Sequence, residues 1–201
     1  MDPRPVPELS PAMVPPPGVR ALLFDCDGTL LDTLGVYKRA WTGPFAARGF
    51  TITDEWFYAN AGMAMTPFIL EALPDASQEE QDAIEAEGMQ SYFAELHLVE
   101  VLDHVADVAR AHHGLIPLAV VSSGRRDHVE RSLVAAGIRD LFDLVITLDD
   151  VENAKPAADC YLLALERLGL EPHEAVAYED STSGLEAARA AGLRAIDVRL
   201  S

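Results

Sequence analysis

Two aspartates flanking a cysteine, Asp25-Cys26-Asp27, close an apolar run, Ala21-Leu22-Leu23-Phe24, and lead directly into Gly28-Thr29. Carboxylates this close repel one another, and at the end of a buried segment little water screens them. A cation, or a reaction that uses both acids, makes such a pair tolerable. The same arrangement returns downstream, with polar groups directly after short apolar runs. Ser122-Ser123-Gly124 follows Leu118-Ala119-Val120-Val121. Asp149-Asp150 and then Lys155-Pro156 follow Leu144-Val145-Ile146, and Glu179-Asp180-Ser181 follows Ala175-Val176-Ala177-Tyr178.

Each group alone has a plain reading. An Asp after a strand is usually a turn or helix cap, Ser-Ser-Gly is turn chemistry, and Lys-Pro is a surface loop. Their joint occurrence at four strand ends points to chemistry instead. Asp25, Asp27, Glu179 and Asp180 form an acidic, all-oxygen set suited to a hard cation, Mg²⁺ rather than zinc. Lys155, the hydroxyls of Ser122, Ser123 and Thr29, and backbone N–H groups near Gly28 supply donors for an anion. Magnesium, a lysine and a hydroxyl together make a phosphoryl clamp. One aspartate can then attack phosphorus, while the other protonates the leaving oxygen and afterwards activates water. Cys26, between them, is expected to point into the core.

The elements must bring these groups together. Residues 22–24, 118–121, 144–146, 175–178 and 195–198 are short apolar runs of strand length. Helical patterns lie between the later ones, at about 127–136, 158–168 and 184–191, with Gly137, Gly169 and Gly192 as stops. Val101, Leu102, Val105 and Val108 mark one more helix face, stopped by Gly114. Alternating strands and helices with short loops predict an α/β fold, a Rossmann-like parallel sheet with helices on both faces. Ligands of such sheets bind outside the carboxyl ends of the strands, where every polar group above stands.

Residues 35–98 interrupt this alternation with helical signals only. Thr66-Pro67 offers an N-cap with proline in the first turn, and Ser77-Gln78-Glu79-Glu80 is a capping-box pattern. The expected domains are therefore a proline-rich tail over 1–18, extended or disordered; a core of 19–34 with 99–201; and a small all-helical insertion, 35–98, after the first strand.

The formal net charge of −18 argues against nucleic-acid partners, since a phosphate-tracking surface needs excess Lys and Arg. No apolar run approaches membrane-spanning length, so no membrane partner is expected. Cys26 and Cys160 are the two cysteines, with no metal-type spacing, which fits a reducing, cytoplasmic setting. The expected assembly is a monomer, with a dimer as the alternative.

The polar set resembles the haloacid dehalogenase superfamily of phosphotransferases. Asp25-Cys26-Asp27-Gly28-Thr29-Leu30-Leu31-Asp32-Thr33 is similar to its first motif, Ser122 to the second, Lys155-Pro156 to the third, and Glu179-Asp180 with residues 181–184 to the fourth. The resemblance implies Asp25 as nucleophile and Asp27 as general acid/base, the latter also lending its backbone carbonyl to Mg²⁺. It implies Asp180 as a metal ligand, Glu179 as a ligand directly or through water, and Ser122 with Lys155 as holders of the phosphoryl group. The helical insertion corresponds to the family's mobile cap. The implied reaction is Mg²⁺-dependent hydrolysis of a small phosphorylated metabolite, a sugar phosphate foremost, through an aspartyl phosphate. The second aspartate, Asp27, separates the chain from the dehalogenases, which lack it and the metal.

Within the superfamily the chain is similar to the β-phosphoglucomutase-like subgroup, and there to small bacterial sugar phosphatases active on fructose 1-phosphate and related esters. Trp41, residues 179–192 and Ile196-Asp197-Val198-Arg199-Leu200 carry that likeness. Three departures stand out. Tyr37 occupies the place of the mutases' first cap histidine, Gly62-Met63-Ala64-Met65 replaces their Gly-x-Ser-Arg, and no lysine stands near Tyr92-Phe93-Ala94. A mutase must hold two phosphates, so missing cap cations favour hydrolysis. A phosphosugar mutase and a non-catalytic binding member of the fold are the alternatives.

Overall fold

The computed structural model describes residues 9–61, 63 and 65–200. They form two compact units: residues 33–99, and the flanking segments up to 32 and from 100 onward. In chain order the elements are β1 (Ala21–Phe24), β2 (Leu31–Asp32), α1 (Leu34–Ala46), α2 (Asp54–Asn60), α3 (Met65–Ala72), α4 (Gln78–Ala94), β3 (Glu100–Val101) and α5 (Asp103–His112). There follow β4 (Leu118–Val121), α6 (Arg126–Ala135), β5 (Leu144–Ile146), α7 (Asp159–Leu168), β6 (Ala175–Glu179), α8 (Thr182–Ala190) and β7 (Arg194–Asp197).

The flanking segments build an α/β unit around a five-stranded sheet ordered β5-β4-β1-β6-β7, parallel throughout. Helices cover both faces of such a sheet, so its central strands β4, β1 and β6 bury every side chain and read as continuous apolar runs, whereas the edge strand β7 is partly exposed. On one face Leu23, Val121, Ile146 and Ala177 pack with Tyr161 and Leu165 of α7 and Ala187 and Ala188 of α8. On the other, Phe24 stacks on Tyr178 with ring centroids 4.9 Å apart and meets the edge of Phe142 at 5.9 Å. Register does the rest. Phe24 stands opposite Val120 on one side and Tyr178 on the other, so Asp25, Val121 and Glu179 reach one sheet edge side by side.

Two expectations change here. The proline-rich segment is not extended throughout: Pro11–Met13 forms a 3₁₀ turn, Met13 is fully buried, and its carbonyl accepts the Tyr178 hydroxyl at 2.9 Å. Residues 1–8 of that segment lie outside the described residues. Val101 and Leu102 do not begin a helix either. Val101 pairs with Leu31 in a short antiparallel ribbon, β2–β3, and α5 starts at Asp103. A two-residue strand is too short to show a period of its own.

Among the described residues of 33–99, the α-helices α1 to α4 pack about an aromatic core of Trp41, Phe45, Phe57 and Phe68 with Ile52, Ile69 and Ile84. α1 and α4 approach closely at Gly88, where an added Cβ would lie 2.0 Å from the Trp41 ring. The capping box opens α4: Ser77 N–H donates to Glu80 Oε2 at 2.9 Å and Glu80 N–H to Ser77 Oγ at 3.3 Å. Thr66 is not an N-cap, because α3 already includes Met65. Gly62 and Ala64 of the Gly62-Met63-Ala64-Met65 segment lie outside the described residues. No helix among the described residues is long and apolar enough to cross a membrane.

Candidate active site

The strand-end groups meet around one ammonium. Lys155 Nζ donates to Asp25 Oδ1 at 2.7 Å, to Glu179 Oε1 at 2.6 Å and to the Val121 carbonyl at 2.7 Å. Those three acceptors match its three protons. The side chain is 3% exposed, so an unpaired charge there would be costly. Burial alone would push the Lys155 ammonium down, but Asp25, Tyr161 and Glu179 more than offset it and hold it well above its usual range.

Glu179 is fully buried at the end of β6. Tyr161 of α7 donates its hydroxyl to Glu179 Oε1 at 2.6 Å, and Ser181 Oγ reaches Oε2 at 3.3 Å. Burial pushes the Tyr161 phenol well up, which keeps it a donor. Ser181 also caps α8, accepting the Gly184 N–H at 3.0 Å. An ideal Cβ at Gly184 would come within 2.0 Å of the Glu179 carboxylate, so α8 closes on Glu179 only because residue 184 is glycine. The positive end of the α8 dipole then faces an anion.

The loop after β1 closes the other side. Gly28 has φ +84°, and a Cβ there would lie 2.3 Å from Asp180 Oδ2. The Thr29 hydroxyl donates to Asp180 Oδ1 at 2.9 Å. Asp25, Glu179 and Asp180 thus each bring a carboxylate oxygen within 4.8 Å of the others. Three acids face one lysine. Burial, then the charges of Glu179 and Asp180, hold the Asp25 carboxyl well above the usual range against the opposing pull of Lys155. Asp180 is raised as well, first by burial and then by Glu179. This donor set fits a hard divalent cation, whose charge would relieve the repulsion that raises both acids.

A sequence profile of the haloacid dehalogenase-like hydrolases matches residues 19–192. The chain belongs to this family. The fructose-1-phosphate phosphatase YqaB of Escherichia coli is 36% identical over 182 residues, covering 89% of this chain and 96% of that protein. The crystal structure of CbbY from Rhodobacter sphaeroides in complex with phosphate superposes with a TM-score of 0.79 at 32% identity, over 88% of this chain and 84% of the other. A structure titled putative beta-phosphoglucomutase from Thermotoga maritima gives 0.70 at 28% identity, over 88% and 84%. The family and its named phosphatase members make this chain an enzyme, a hydrolase of the phosphatase type.

In this haloacid dehalogenase-like hydrolase the strand-end residues occupy distinct places. Lys155 hydrogen-bonds Asp25 and Glu179, and Thr29 hydrogen-bonds Asp180, whose carboxylate lies within 4.8 Å of those two acids. Asp27 stands apart from the three clustered acids, its carboxylate against His128 Nε2 at 3.1 and 3.2 Å. Ser122 is buried and its Oγ accepts the Gly124 N–H at 3.0 Å, whereas Ser123 is exposed. Cys26 is fully buried, and burial, then Asp27 and Asp25, push its thiol well up, which keeps it unreactive. Asp149 and Asp150 serve structure: Asp149 Oδ2 accepts the Arg126 N–H at 2.7 Å, and Asp150 Oδ2 accepts the Thr147 N–H at 2.8 Å.

Reading along the chain missed His128 and Tyr161, and it counted Gly184 in the fourth motif without a role. Tyr161 and His128 sit in the first turns of α7 and α6 among ordinary helix residues, and no local pattern marks them. Gly184 had a signal, a glycine three residues after a Ser cap in a helix otherwise rich in alanine.

Proposed function

We propose that this enzyme hydrolyses a small phosphorylated metabolite, a sugar phosphate foremost, through an aspartyl phosphate on Asp25. The observation that carries this reading is the Lys155 ammonium bridging Asp25 and Glu179 within the buried acid cluster. The same lysine that holds the nucleophile stands ready to meet the transferring phosphoryl group.

Asp25, Glu179, Asp180 and the Asp27 carbonyl are the residues that would hold Mg²⁺. Bound there, the ion supplies positive charge against the phosphoryl oxygens. The chain's own residues do the rest. An Asp25 carboxylate oxygen attacks phosphorus, and the ester P–O bond breaks. Asp27 gives its proton to the leaving oxygen. Asp27 then takes a proton from water as the water oxygen bonds to phosphorus, the acyl phosphate opens, and the Asp25 carboxylate returns with release of inorganic phosphate. Lys155 and Ser122 orient the phosphoryl group. The Thr29 hydroxyl, bonded to Asp180, is better placed to orient that acid than to bind phosphate.

We assign residues 33–99 the role of the family's cap, the source of substrate selectivity. Their charges favour hydrolysis over a mutase. Three Lys and Arg stand against ten Asp and Glu. Each cation is paired, Lys38 with Asp54, Arg39 with Glu95 and Arg48 with Glu87. A unit so charged offers little to a second phosphate. The cytoplasm is the proposed setting, in keeping with two buried free cysteines.

The deciding experiment is phosphate release from a panel of sugar phosphates, fructose 1-phosphate included, with Mg²⁺. Release that EDTA abolishes supports the reading, and turnover undiminished without metal sinks it. Glucose 1-phosphate with a bisphosphate activator separates the readings further: free phosphate marks the phosphatase, an isomer the mutase.

A further inference from the structure

Asp27 is the acid of the site whose carboxylate faces a buried imidazole. His128 is 2% exposed, while the Asp27 side chain is 25% exposed. Nε2 lies nearly equidistant from both carboxylate oxygens, at 3.1 and 3.2 Å. We propose that His128 is a positioning residue for Asp27, its Nε2–H set astride the carboxylate so that the proton-transferring group keeps one orientation. This rests on the phosphatase reading above.

The ring is enclosed, and the backbone that carries it is pinned. His128 sits in the first turn of α6, and its carbonyl accepts the hydroxyl of Ser132, itself fully buried, at 2.8 Å. Its Cδ2 packs over Gly124, where an added Cβ would fall 3.0 Å away. The Gly124 N–H in turn donates to Ser122 Oγ at 3.0 Å. One loop therefore orients Ser122 and leaves room for the ring that orients Asp27.

An aspartate past the end of a strand is free to rotate about two bonds. A general acid works only within hydrogen-bond reach of the oxygen it protonates, and a misplacement of about 1 Å can cost ~100-fold in rate. A donor on the bisector of the carboxylate removes that freedom and leaves each oxygen a lone pair for proton transfer. His128 neither gains nor loses a proton in this role. The proton travels between Asp27 and the ester oxygen, then between water and Asp27.

The test compares His128→Leu, which deletes the donor, with His128→Gln, whose amide N–H reaches a similar place. Both are assayed for the first-turnover rate of alcohol or phenol release, which reads the step in which Asp27 acts as acid, on an alkyl phosphate and on p-nitrophenyl phosphate, whose phenolate leaves without protonation. The expected result for His128→Leu is a loss of about 10- to 100-fold in that rate on the alkyl ester, a clearly smaller loss on the nitrophenyl ester, and half-saturation within about 2-fold. His128→Gln should recover most of the alkyl-ester rate. A loss in core packing alone would lower both rates together, and equal losses, no loss, or no recovery by Gln overturn the inference. If the Leu variant does not fold, His128→Asn takes its place, since its shorter amide falls short of Asp27; Asn and Gln variants of equal rate then overturn it. A wild-type chain inactive on every ester defeats the phosphatase reading and this inference with it, whereas an active wild type beside an unaffected variant defeats the inference alone.

Discussion

The two units bury different things. The sheet unit closes over charge: Asp25, Lys155 and Glu179 are each nearly or fully removed from solvent and satisfied by one another. The helical unit closes over rings, and its ion pairs stay at the surface; Asp54 is 74% exposed and Glu87 49%. Even the glycines repeat the contrast. Gly184 admits a carboxylate to the end of α8, and Gly88 admits the Trp41 indole to the flank of α4. A buried charge cluster is weak evidence for stability, because desolvation offsets much of the attraction. Its presence in one unit and its absence among the described residues of the other therefore mark where chemistry, rather than folding, set the residues.

The largest effect that would break this contrast is on turnover. Asp25→Asn should lower kcat at least ~1000-fold while the far-UV circular dichroism stays that of wild type; a variant with appreciable turnover removes Asp25 from the nucleophile's role. Lys155→Ala leaves Asp25 and Glu179 buried without their cation and should cost about 3–5 kcal/mol in urea unfolding. Lys38→Ala in the helical unit should cost under about 1 kcal/mol. Equal costs would erase the distinction between the units.

Gly88→Ala and Gly184→Ala sharpen it. Each forces a buried side chain to move, and each should destabilise by about 1–3 kcal/mol. Their activities should part: Gly184→Ala disturbs Glu179 and lowers kcat, and Gly88→Ala leaves kcat per folded molecule near wild type. Saturating Mg²⁺, at about 100 times its dissociation constant, should stabilise the wild type by roughly 2.7 kcal/mol, and Asp180→Asn should forfeit most of that shift in a thermal melt.

A small, pH-dependent effect concerns Asp150, a structural acid of the sheet unit. Burial alone would raise its carboxyl, but the Thr147 N–H and hydroxyl with Arg126 and Arg167 bring it below its ordinary range. A carboxyl lowered by folding stabilises above its unfolded pKa, and that contribution fades as pH falls through the lower folded value. Asp150→Asn should therefore cost about 1 kcal/mol at neutral pH, with the gap to wild type narrowing in acid. A gap that widens in acid would contradict the assignment.

Much of the site was legible because its signals are local. The acids and Ser122 stand directly after apolar runs, Lys155 follows in the loop after β5, and a parallel sheet leaves those positions one edge to share. The capping box at Ser77 was equally readable, since its two hydrogen bonds span three residues. Thr29 shows where that reading stops. Its proximity to Asp25 suggested a phosphate donor, yet its hydroxyl finds Asp180, 151 positions away. Met13 lay in a segment whose prolines masked an anchoring contact with Tyr178.

Hydrophobic runs, stops and strand-end chemistry thus settle the alternation of elements, the parallel sheet and the acids and lysine of the centre, because each depends on neighbours within a few residues. Which acid keeps which partner belongs to the folded chain. Lys155 bonds Asp25 across 130 positions, Tyr161 finds Glu179, and His128 meets Asp27 across 101. Hydrogen bonds select partners by distance and direction to within a fraction of an ångström, and only the packing of α6, α7 and α8 against the sheet sets distances that fine.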